Sequence, residues 1–454
     1  MGQGREGSTL GRIVAAGLLV TAVSSTAAAQ NWSFDARRIA LGGIGGTGNI
    51  AARLVEEERG YGSIVLPFGL FQVFEDTSIF DPGDDNFDPV RAAEYFASPL
   101  HYTFDRKGSD SGQQFVNDIV NATLNPNLNV YRGFEPASEL FGEGLASPTW
   151  GKTFTVRDDG AFHGIYVGAG PYLSVRTDNM IDQEFIDLLA SDVDVFVPNA
   201  SFLITDDTID QFALAITGGY RARLPLPGRS SVGSGRDGVY IAVNYNYLYG
   251  FHYDDISMDV RFDTDATGLV TVAPTTVPVA IDRLTADRGR GFALDFGATV
   301  VLDRWDFGFG ATGVANRIDW EDVQRESFVL TSLFDGGDFI ETPLGPLGED
   351  RRVELPVNYT GNVAYHEDEW SAYAEYAHGF QDNNFHGGLE YRLGRVELRG
   401  GGRFARDRWF ASGGVGFDLS PGWSVDVAAF GTSTNIERKR HTAIAVSLRL
   451  NPTD

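Results

Sequence analysis

The sequence has no cysteine and only three methionines among its 454 residues. Without cysteine, the chain cannot form disulfides, use thiol catalysis or bind a metal through thiolates. Beyond residue 29, no stretch has the roughly 18 consecutive apolar residues of a membrane-spanning helix. The HExxH metal motif, the GxSxG nucleophile turn and the P-loop lysine pattern are also missing, and the seven histidines are scattered. We therefore expect no enzyme and no transmembrane helix.

Basic residues are scarce as well. The chain has 36 lysines and arginines against 62 aspartates and glutamates, which gives a formal net charge of −26 at pH 7. A surface of this sign repels phosphates, so we expect no nucleic acid partner. The acidity itself indicates only a well-solvated surface or a salty habitat.

The first 29 residues have the pattern of a secretory signal peptide. Arg5 and Arg12 supply a positive start, residues 13–23 form a short apolar run, and residues 27–29 are alanines at a cleavage position. The apolar run is too short for a membrane helix. We expect residues 1–29 to be removed during export.

Residues 239–253 show the clearest structural pattern of the chain. Odd-numbered positions from Val239 to Tyr253 are apolar or aromatic, and most even-numbered positions are small or polar. This run is much longer than the usual strand of about 5–6 residues. A strand that crosses an outer membrane needs about 9–11 residues, with an apolar face toward lipid and a polar face toward the lumen. The pattern predicts a transmembrane β-strand whose odd-numbered side chains face lipid.

A two-residue turn at Gly394-Arg395 aligns the sequence on either side of it. On one face of the predicted hairpin, this register pairs apolar residues such as Tyr391 and Leu398. The other face carries opposite charges across from one another, which are Glu390 with Arg399 and Arg392 with Glu397. We expect these four residues to form a lumen-facing charge ladder, which would tune selectivity if the lumen conducts.

Two more turns fit the same scheme. A loop at residues 303–304 pairs Leu302 with Trp305, and a three-residue loop at residues 420–422 places Gly422 where a positive φ is favoured. Such short turns alternate with longer loops along the chain, as in outer-membrane barrels with short periplasmic turns. This pattern predicts an all-β fold, which is an antiparallel transmembrane β-barrel of about 14 strands.

The predicted barrel occupies residues 150–454, with residues 199–206 and 210–224 counted as separate strands. Residues 30–149 differ, because they are dense in glycine at 42–48 and show little period-two signal. We expect them to form an N-terminal plug or cap. The alternative is that they supply irregular strands that complete a larger barrel.

Residues 33–43, SFDARRIALGG, resemble the opening of the FadL-type superfamily of outer-membrane barrels. This group includes long-chain fatty acid transporters and the TraF-like and PorV-like proteins. Residues 386–391, 397–401 and 441–450 are similar to its C-terminal part. The resemblance implies a fourteen-stranded barrel with an N-terminal plug. The Asn-Pro-Ala that family members often carry after the glycine motif is missing here, so fatty-acid transport is not carried over.

Two segments are candidates for binding ions or lipid. Residues 81–88 combine carboxylates at a density that suits calcium, although their spacing differs from an EF-hand loop and a solvated acidic loop is the alternative. The calcium candidates are Asp81, Asp84, Asp85 and Asp88. The basic residues 438–440 lie in a predicted outer loop, where they either contact lipopolysaccharide phosphates or are simply solvated.

Three functional classes fit these features. The first is a passive channel for hydrophobic or amphipathic small molecules, with an apolar pocket between plug and barrel. The second is a non-transporting outer-membrane scaffold or secretion accessory, with a filled lumen and a stable protein partner. The third, a soluble secreted β-sandwich, is disfavoured by the long strands. We expect the first function, with the second as the alternative.

Overall fold

The structure is a computed structural model. It describes residues 35–43, 48–58, 64–67, 139–146, 150–158, 161–181, 198–226, 236–267, 270–271, 279–330, 339–379, 383–405, 408–420, 422–433 and 440–450. Three predictions lie outside these residues and stay predictions. They concern the signal peptide at 1–29, the basic residues 438–439, and the calcium candidates Asp81, Asp84, Asp85 and Asp88.

Two short helices, α1 (Ala36–Ala40) and α2 (Ile50–Glu58), form the helical part of the described residues. Asp35 caps α1, because its side chain accepts a hydrogen bond from the backbone N–H of Arg37 at 2.9 Å. Gly42 follows with a φ of +87°, the left-handed conformation in which helices commonly end. Neither helix has the length and apolar composition needed to cross a membrane, and no other helix in the described ranges has them.

The strands form one antiparallel sheet of 21 segments. They are β1 (Ile64–Pro67), β2 (Glu139–Ala146), β3 (Trp150–Asp158), β4 (Phe162–Ile181), β5 (Ser201–Leu224), β6 (Gly238–Thr264), β7 (Val270–Thr271), β8 (Val279–Ala286), β9 (Arg288–Leu302), β10 (Trp305–Thr312), β11 (Asn316–Glu321), β12 (Gln324–Leu330), β13 (Phe339–Pro346), β14 (Arg351–Val353), β15 (Asn358–His366), β16 (Trp370–His378), β17 (Asn384–Leu393), β18 (Val396–Ala405), β19 (Arg408–Ser420), β20 (Trp423–Ser433) and β21 (Arg440–Leu450).

Most strands pair with their neighbours in the chain. From β15 to β21, each strand pairs with the next one. The wall continues from β15 through β10, β9, β6 and β5 to β4, and β2 and β3 pair with successive parts of β4. At the other end, β1 pairs with the C-terminal strand β21. This is the hairpin connectivity of an up-and-down barrel.

Side chains alternate between the two faces of β6 as predicted. Tyr245, Tyr247 and Tyr249 are exposed on the outer face, whereas Ala242 and Leu248 are fully buried on the inner face. Because the side-chain period of a strand is two, one apolar face and one sheltered face follow from the sequence. The exposed aromatic side chains suit contact with lipid.

The predicted orientation is wrong at the end of this run. The register with β5 shifts between Phe212 and Ala213, which leaves Phe251 as an extra residue in β6. Such a bulge reverses the alternation beyond it. Tyr253 is therefore fully buried on the inner face, where its ring stacks on Trp320 with the centroids 5.3 Å apart.

The turn predicted at Gly394-Arg395 is confirmed. β17 and β18 pair Leu393 with Val396 and Glu390 with Arg399, as expected. Gly394 has a φ of +62°, which glycine adopts without the steric cost that other residues incur.

The two other turns are confirmed with one correction. β9 and β10 pair across residues 303–304 in the predicted register. At the third turn Phe417 pairs with Val425, as expected from the three-residue loop. Ser420, however, pairs with Trp423 and so belongs to the sheet and not to the loop.

The sheet has more segments than the predicted number of strands, partly because each long strand pairs with two shorter segments along one edge. β8 and β9 pair with successive parts of β6, and β11 and β10 pair with successive parts of β9. In one place the prediction gives two strands where the structure has one. Residues 199–206 and 210–224 belong largely to the single strand β5, because Asp207, Thr208 and Ile209 continue the pairing with β4 and β6.

The sheet encloses residues 35–43 and 48–58, which are called the N-terminal segment below. α1 contacts β18 to β21, whereas α2 contacts β6, β9 and β10. These two groups of strands are separated in the sheet by β15, β16 and β17, so only a curved sheet can contact both helices. The fold is the predicted antiparallel β-barrel, with the N-terminal segment in its lumen. β1 and β2, which come from residues 30–149, belong to the wall.

We expect the protein to fractionate with the outer membrane and to shift on an SDS gel. The unboiled protein should migrate differently from the boiled protein, because a closed sheet keeps its backbone hydrogen bonds satisfied until it is heated. A soluble protein with the same mobility in both samples would contradict the barrel.

Candidate functional site

The inner wall approaches the N-terminal segment closely where the wall carries glycine. A side chain at Gly401 of β18 would overlap the backbone of Leu41 and Gly42. A side chain at Gly310 of β10 would overlap the carbonyl oxygen of Gly48. Glycine allows this close approach because it has no Cβ. The N-terminal segment is thus seated directly on the wall at two places.

Arg37 joins the N-terminal segment to the wall. Its Nε and Nη2 donate to the two carboxylate oxygens of Glu390 at 2.9 and 3.2 Å, and Nη2 also donates to the Tyr373 hydroxyl at 3.0 Å. The side chains of Arg37 and Glu390 are only 2% and 4% exposed. A buried two-point contact between guanidinium and carboxylate is strong and fixes orientation. Arg37 therefore positions α1 against β16 and β17.

Arg399 lies at the centre of the surrounding charges. Its guanidinium donates to Glu390 at 2.7 Å and to Asp426 at 2.6 Å, and it also contacts Glu397. Arg449 lies 3.4 Å from Glu397 and 3.3 Å from Asp426. Ions buried in this way need partners of opposite charge. The inner-wall charge cluster is Arg37, Glu390, Glu397, Arg399, Asp426 and Arg449.

The structure places the four residues of the predicted charge ladder side by side on β17 and β18. Glu390, Glu397 and Arg399 are buried beneath the N-terminal segment. The side chain of Arg392 is 49% exposed and donates to Glu397 at 2.7 Å. Three of the four residues form ion pairs with one another and with Arg37. A role of the ladder in selectivity stays a prediction.

Sequence analysis did not identify Arg37, Asp426 and Arg449 as members of this cluster. A signal for two of them is present, because Asp426 alternates with Val425 and Val427 and thus occupies an inward position. Arg449 does the same between leucines of β21. The partner of Arg37 could not be read from the sequence, because Glu390 is 353 positions away.

Glu56 of α2 ties the two helices of the N-terminal segment together. Its carboxylate accepts a hydrogen bond from Arg38 at 2.5 Å and lies 3.3 Å from Arg37 Nη1. Burial alone would raise the pKa of Glu56, but the positive charges of Arg38 and Arg37 outweigh burial and lower this pKa. Glu56 is therefore ionised at neutral pH, and α2 is held to α1 by charge.

An apolar group lines the lumen at the end away from the short turns. Trp320 of β11 is fully buried, stacks on Tyr253 and donates from Nε1 to Gln211 at 3.0 Å. Satisfying the indole N–H lets such a large ring lie inside the barrel. The lumen aromatic cluster consists of Trp320 with Tyr172, Leu248, Tyr253, Ile318 and Val323.

One group of metal-ligand side chains occurs among the described residues. Asp210, His252 and Asp254 are buried, with ligand atoms within 4.8 Å of one another, and His252 Nε2 is 3.1 Å from Asp210 Oδ1. Arg283 Nε lies 2.9 and 3.0 Å from the two oxygens of Asp254. The guanidinium thus supplies positive charge to Asp254 at the position that a cation would otherwise take. The arrangement is a buried ion-pair group.

A polar cavity of about 430 Å³ lies at the opposite end of the lumen, beside the turns at 303–304 and 394–395. The lining comes from β15, β16 and β17, from the turns at 303–304 and 367–369, and from Arg236 before β6. The lining includes Arg236, Arg304, His366, Trp370, Ser371 and Arg392. Along β9 and β10, the contact at Gly310 separates this cavity from the lumen aromatic cluster. The turn end of the lumen is therefore polar, whereas the opposite end combines the lumen aromatic cluster with the buried ion-pair group.

Comparisons with known proteins give structural matches only. No family model matches this chain, and no curated protein matches it. Among solved structures, the Ralstonia pickettii toluene transporter TbuX is 12% identical over 68% of this chain and 89% of its own, with a TM-score of 0.34. The Pseudomonas putida toluene transporter TodX is 10% identical over 64% and 88%, with a TM-score of 0.27.

At these identities and TM-scores the likeness concerns general architecture. No substrate is carried over from either protein.

We predict that Arg399→Met strongly destabilises the barrel, by about 3–5 kcal/mol, because it leaves three buried carboxylates without their shared cation. Denaturant unfolding in detergent micelles measures this change. Arg392→Met is the matched control, since its exposed guanidinium should contribute about 1 kcal/mol or less. Equal losses in both variants would contradict a central role for Arg399.

We also predict that Gly401→Ala displaces the N-terminal segment, because the added methyl group would overlap the backbone at Leu41 and Gly42. Cleavage of the N-terminal segment by added protease should become faster by about tenfold, which corresponds to a loss of about 1.4 kcal/mol of protection. Gly400→Ala is the control, since no other heavy atom lies within 4 Å of its added carbon. Unchanged protection in Gly401→Ala would show that the contact does not hold the segment.

Proposed function

We propose that this protein is an outer-membrane channel for the passive passage of hydrophobic or amphipathic small molecules. Its barrel exposes aromatic side chains toward lipid, which supports the outer membrane as its location and lipid and lipopolysaccharide as its surroundings. The observation that carries the choice of solute is the lumen aromatic cluster around Trp320.

An apolar group inside a lumen favours hydrophobic solutes, because their apolar surface leaves water when they enter it. Trp320 and Tyr253 are fully buried and stacked on each other, with Gln211 as the polar partner of the indole, so an amphipathic solute reaches these rings by displacing part of the cluster. The polar cavity at the turn end gives the same solute a hydrated exit. The N-terminal segment lies between these two regions, so passage requires it to move or to leave a path along the wall.

The alternative is a scaffold or secretion accessory that does not transport. The tight seating of the N-terminal segment favours it, because contacts at Gly310 and Gly401 and the ion pair of Arg37 all fill the lumen. Under this alternative, a protein partner would bind the outer loops or the turn end, and the lumen would stay closed.

We expect the purified barrel to bind the hydrophobic dye N-phenyl-1-naphthylamine, measured by the increase in dye fluorescence. Trp320→Ala should weaken binding by about tenfold or more, because it removes the largest ring of the cluster. Trp409→Ala is the matched control, since Trp409 is exposed on the outer face. A barrel of normal heat-dependent gel mobility that binds no dye would favour the scaffold.

A further inference from the structure

His366 lies between a serine and an aspartate at the turn end of the lumen. Its Nδ1 is 2.9 Å from Ser371 Oγ, and its Nε2 is 2.9 Å from Asp306 Oδ2. The three residues come from neighbouring strands, since β15 pairs with β16 on one side and with β10 on the other. Ser371 and Asp306 are buried, and the side chain of His366 is 11% exposed.

This order of groups sets the proton positions on the imidazole. A carboxylate only accepts hydrogen bonds, so the nitrogen that faces Asp306 carries the proton in the neutral ring. Nδ1 is then an acceptor, and it faces the hydroxyl of Ser371. A serine whose proton is directed at a histidine, which is in turn held by a carboxylate, is the order of groups that activates a hydroxyl for attack on an acyl group. Here the two ring nitrogens exchange their usual roles, because Nδ1 faces the serine and Nε2 faces the carboxylate.

The serine and the histidine also border a space that can hold a substrate. Both line the polar cavity of about 430 Å³, a volume within the range of small-molecule sites. Arg304 and Arg392 line the same cavity beside five acidic side chains, so an oxyanion there would rely on a guanidinium within reach and not on the net charge of the lining. Trp370 adds one aromatic surface. The polar lining and modest volume suit a short acyl chain and exclude a long lipid chain.

We propose that Ser371, His366 and Asp306 form a hydrolytic site for short-chain carboxylic esters. Ser371 Oγ forms a bond with the carbonyl carbon while its proton passes to His366 Nδ1. The C–O bond to the alcohol then breaks, and the alcohol leaves with that proton. Water then attacks the carbonyl carbon of the acyl-serine while His366 Nδ1 accepts its proton. The bond from that carbon to Ser371 Oγ breaks, Oγ takes the proton back from His366, and the products are the carboxylic acid and free Ser371.

This proposal goes beyond the channel and differs from the expectation that the chain is not an enzyme. That expectation was based on the absence of short catalytic motifs. Asp306, His366 and Ser371 lie on three separate strands, with sixty positions between the aspartate and the histidine. His366 and Ser371 face each other across the β15–β16 hairpin, only five positions apart, whereas Asp306 reaches His366 through the pairing of β10 with β15.

The test is covalent labelling of the folded full-length barrel with a small fluorophosphonate, followed by peptide mass spectrometry. We expect one adduct, on Ser371, and hydrolysis of p-nitrophenyl acetate that the label abolishes. His366→Asn and Asp306→Asn should slow both labelling and hydrolysis by roughly 100-fold or more, since a general base contributes about that factor.

Ser371→Ala should lose the adduct and the hydrolysis. Ser424→Ala is the matched control, because Ser424 is a buried serine on the inner face of β20 and should leave both unchanged. Heat-dependent gel mobility reports that each variant is folded. A folded wild-type barrel that takes no label on Ser371, or hydrolysis that persists in folded Ser371→Ala, would overturn the proposal. Neither result bears on dye binding at Trp320, so the channel is tested separately.

Discussion

The pairing of buried charges on the inner wall is the constraint on which the rest of this structure depends. Arg399 contacts three carboxylates, which come from β17, β18 and β20, and its burial would be prohibitive without them. The same cluster includes Arg37, which reaches in from the N-terminal segment. One set of ion pairs therefore fixes the register of the C-terminal strands and also the position of the segment inside the lumen.

This coupling has a direct consequence for function. A solute that travels the length of the lumen must pass the N-terminal segment, and movement of that segment would separate Arg37 from Glu390 in a poorly hydrated place. Close packing against Gly310 and Gly401 leaves little room for small adjustments. The two ends of the lumen are thus chemically distinct and separated by a contact whose loss costs free energy. An apolar cluster at one end and a polar cavity at the other suit a solute that changes its surroundings as it moves.

Much of the fold could be predicted because a strand has a period of two. Tyr245, Tyr247 and Tyr249 follow this period, so their outward orientation could be read directly. The turn at Gly394-Arg395 fixed the pairing of Glu390 with Arg399, because only one register aligned both the apolar and the charged residues. The prediction failed at Tyr253, where one extra residue in a bulge reversed the alternation. A bulge depends on the partner strand, which a single sequence does not reveal.

The sequence by itself determined the class of fold, the faces of the strands and the local hairpins, since these follow from spacing between near neighbours. Only the tertiary structure decided which distant groups meet. It placed Arg37 on Glu390, Trp320 on Tyr253 and Asp306 on His366. The physical reason is the curvature of the sheet, which directs inward side chains toward one enclosed volume, where contacts depend on strand order and not on distance along the chain.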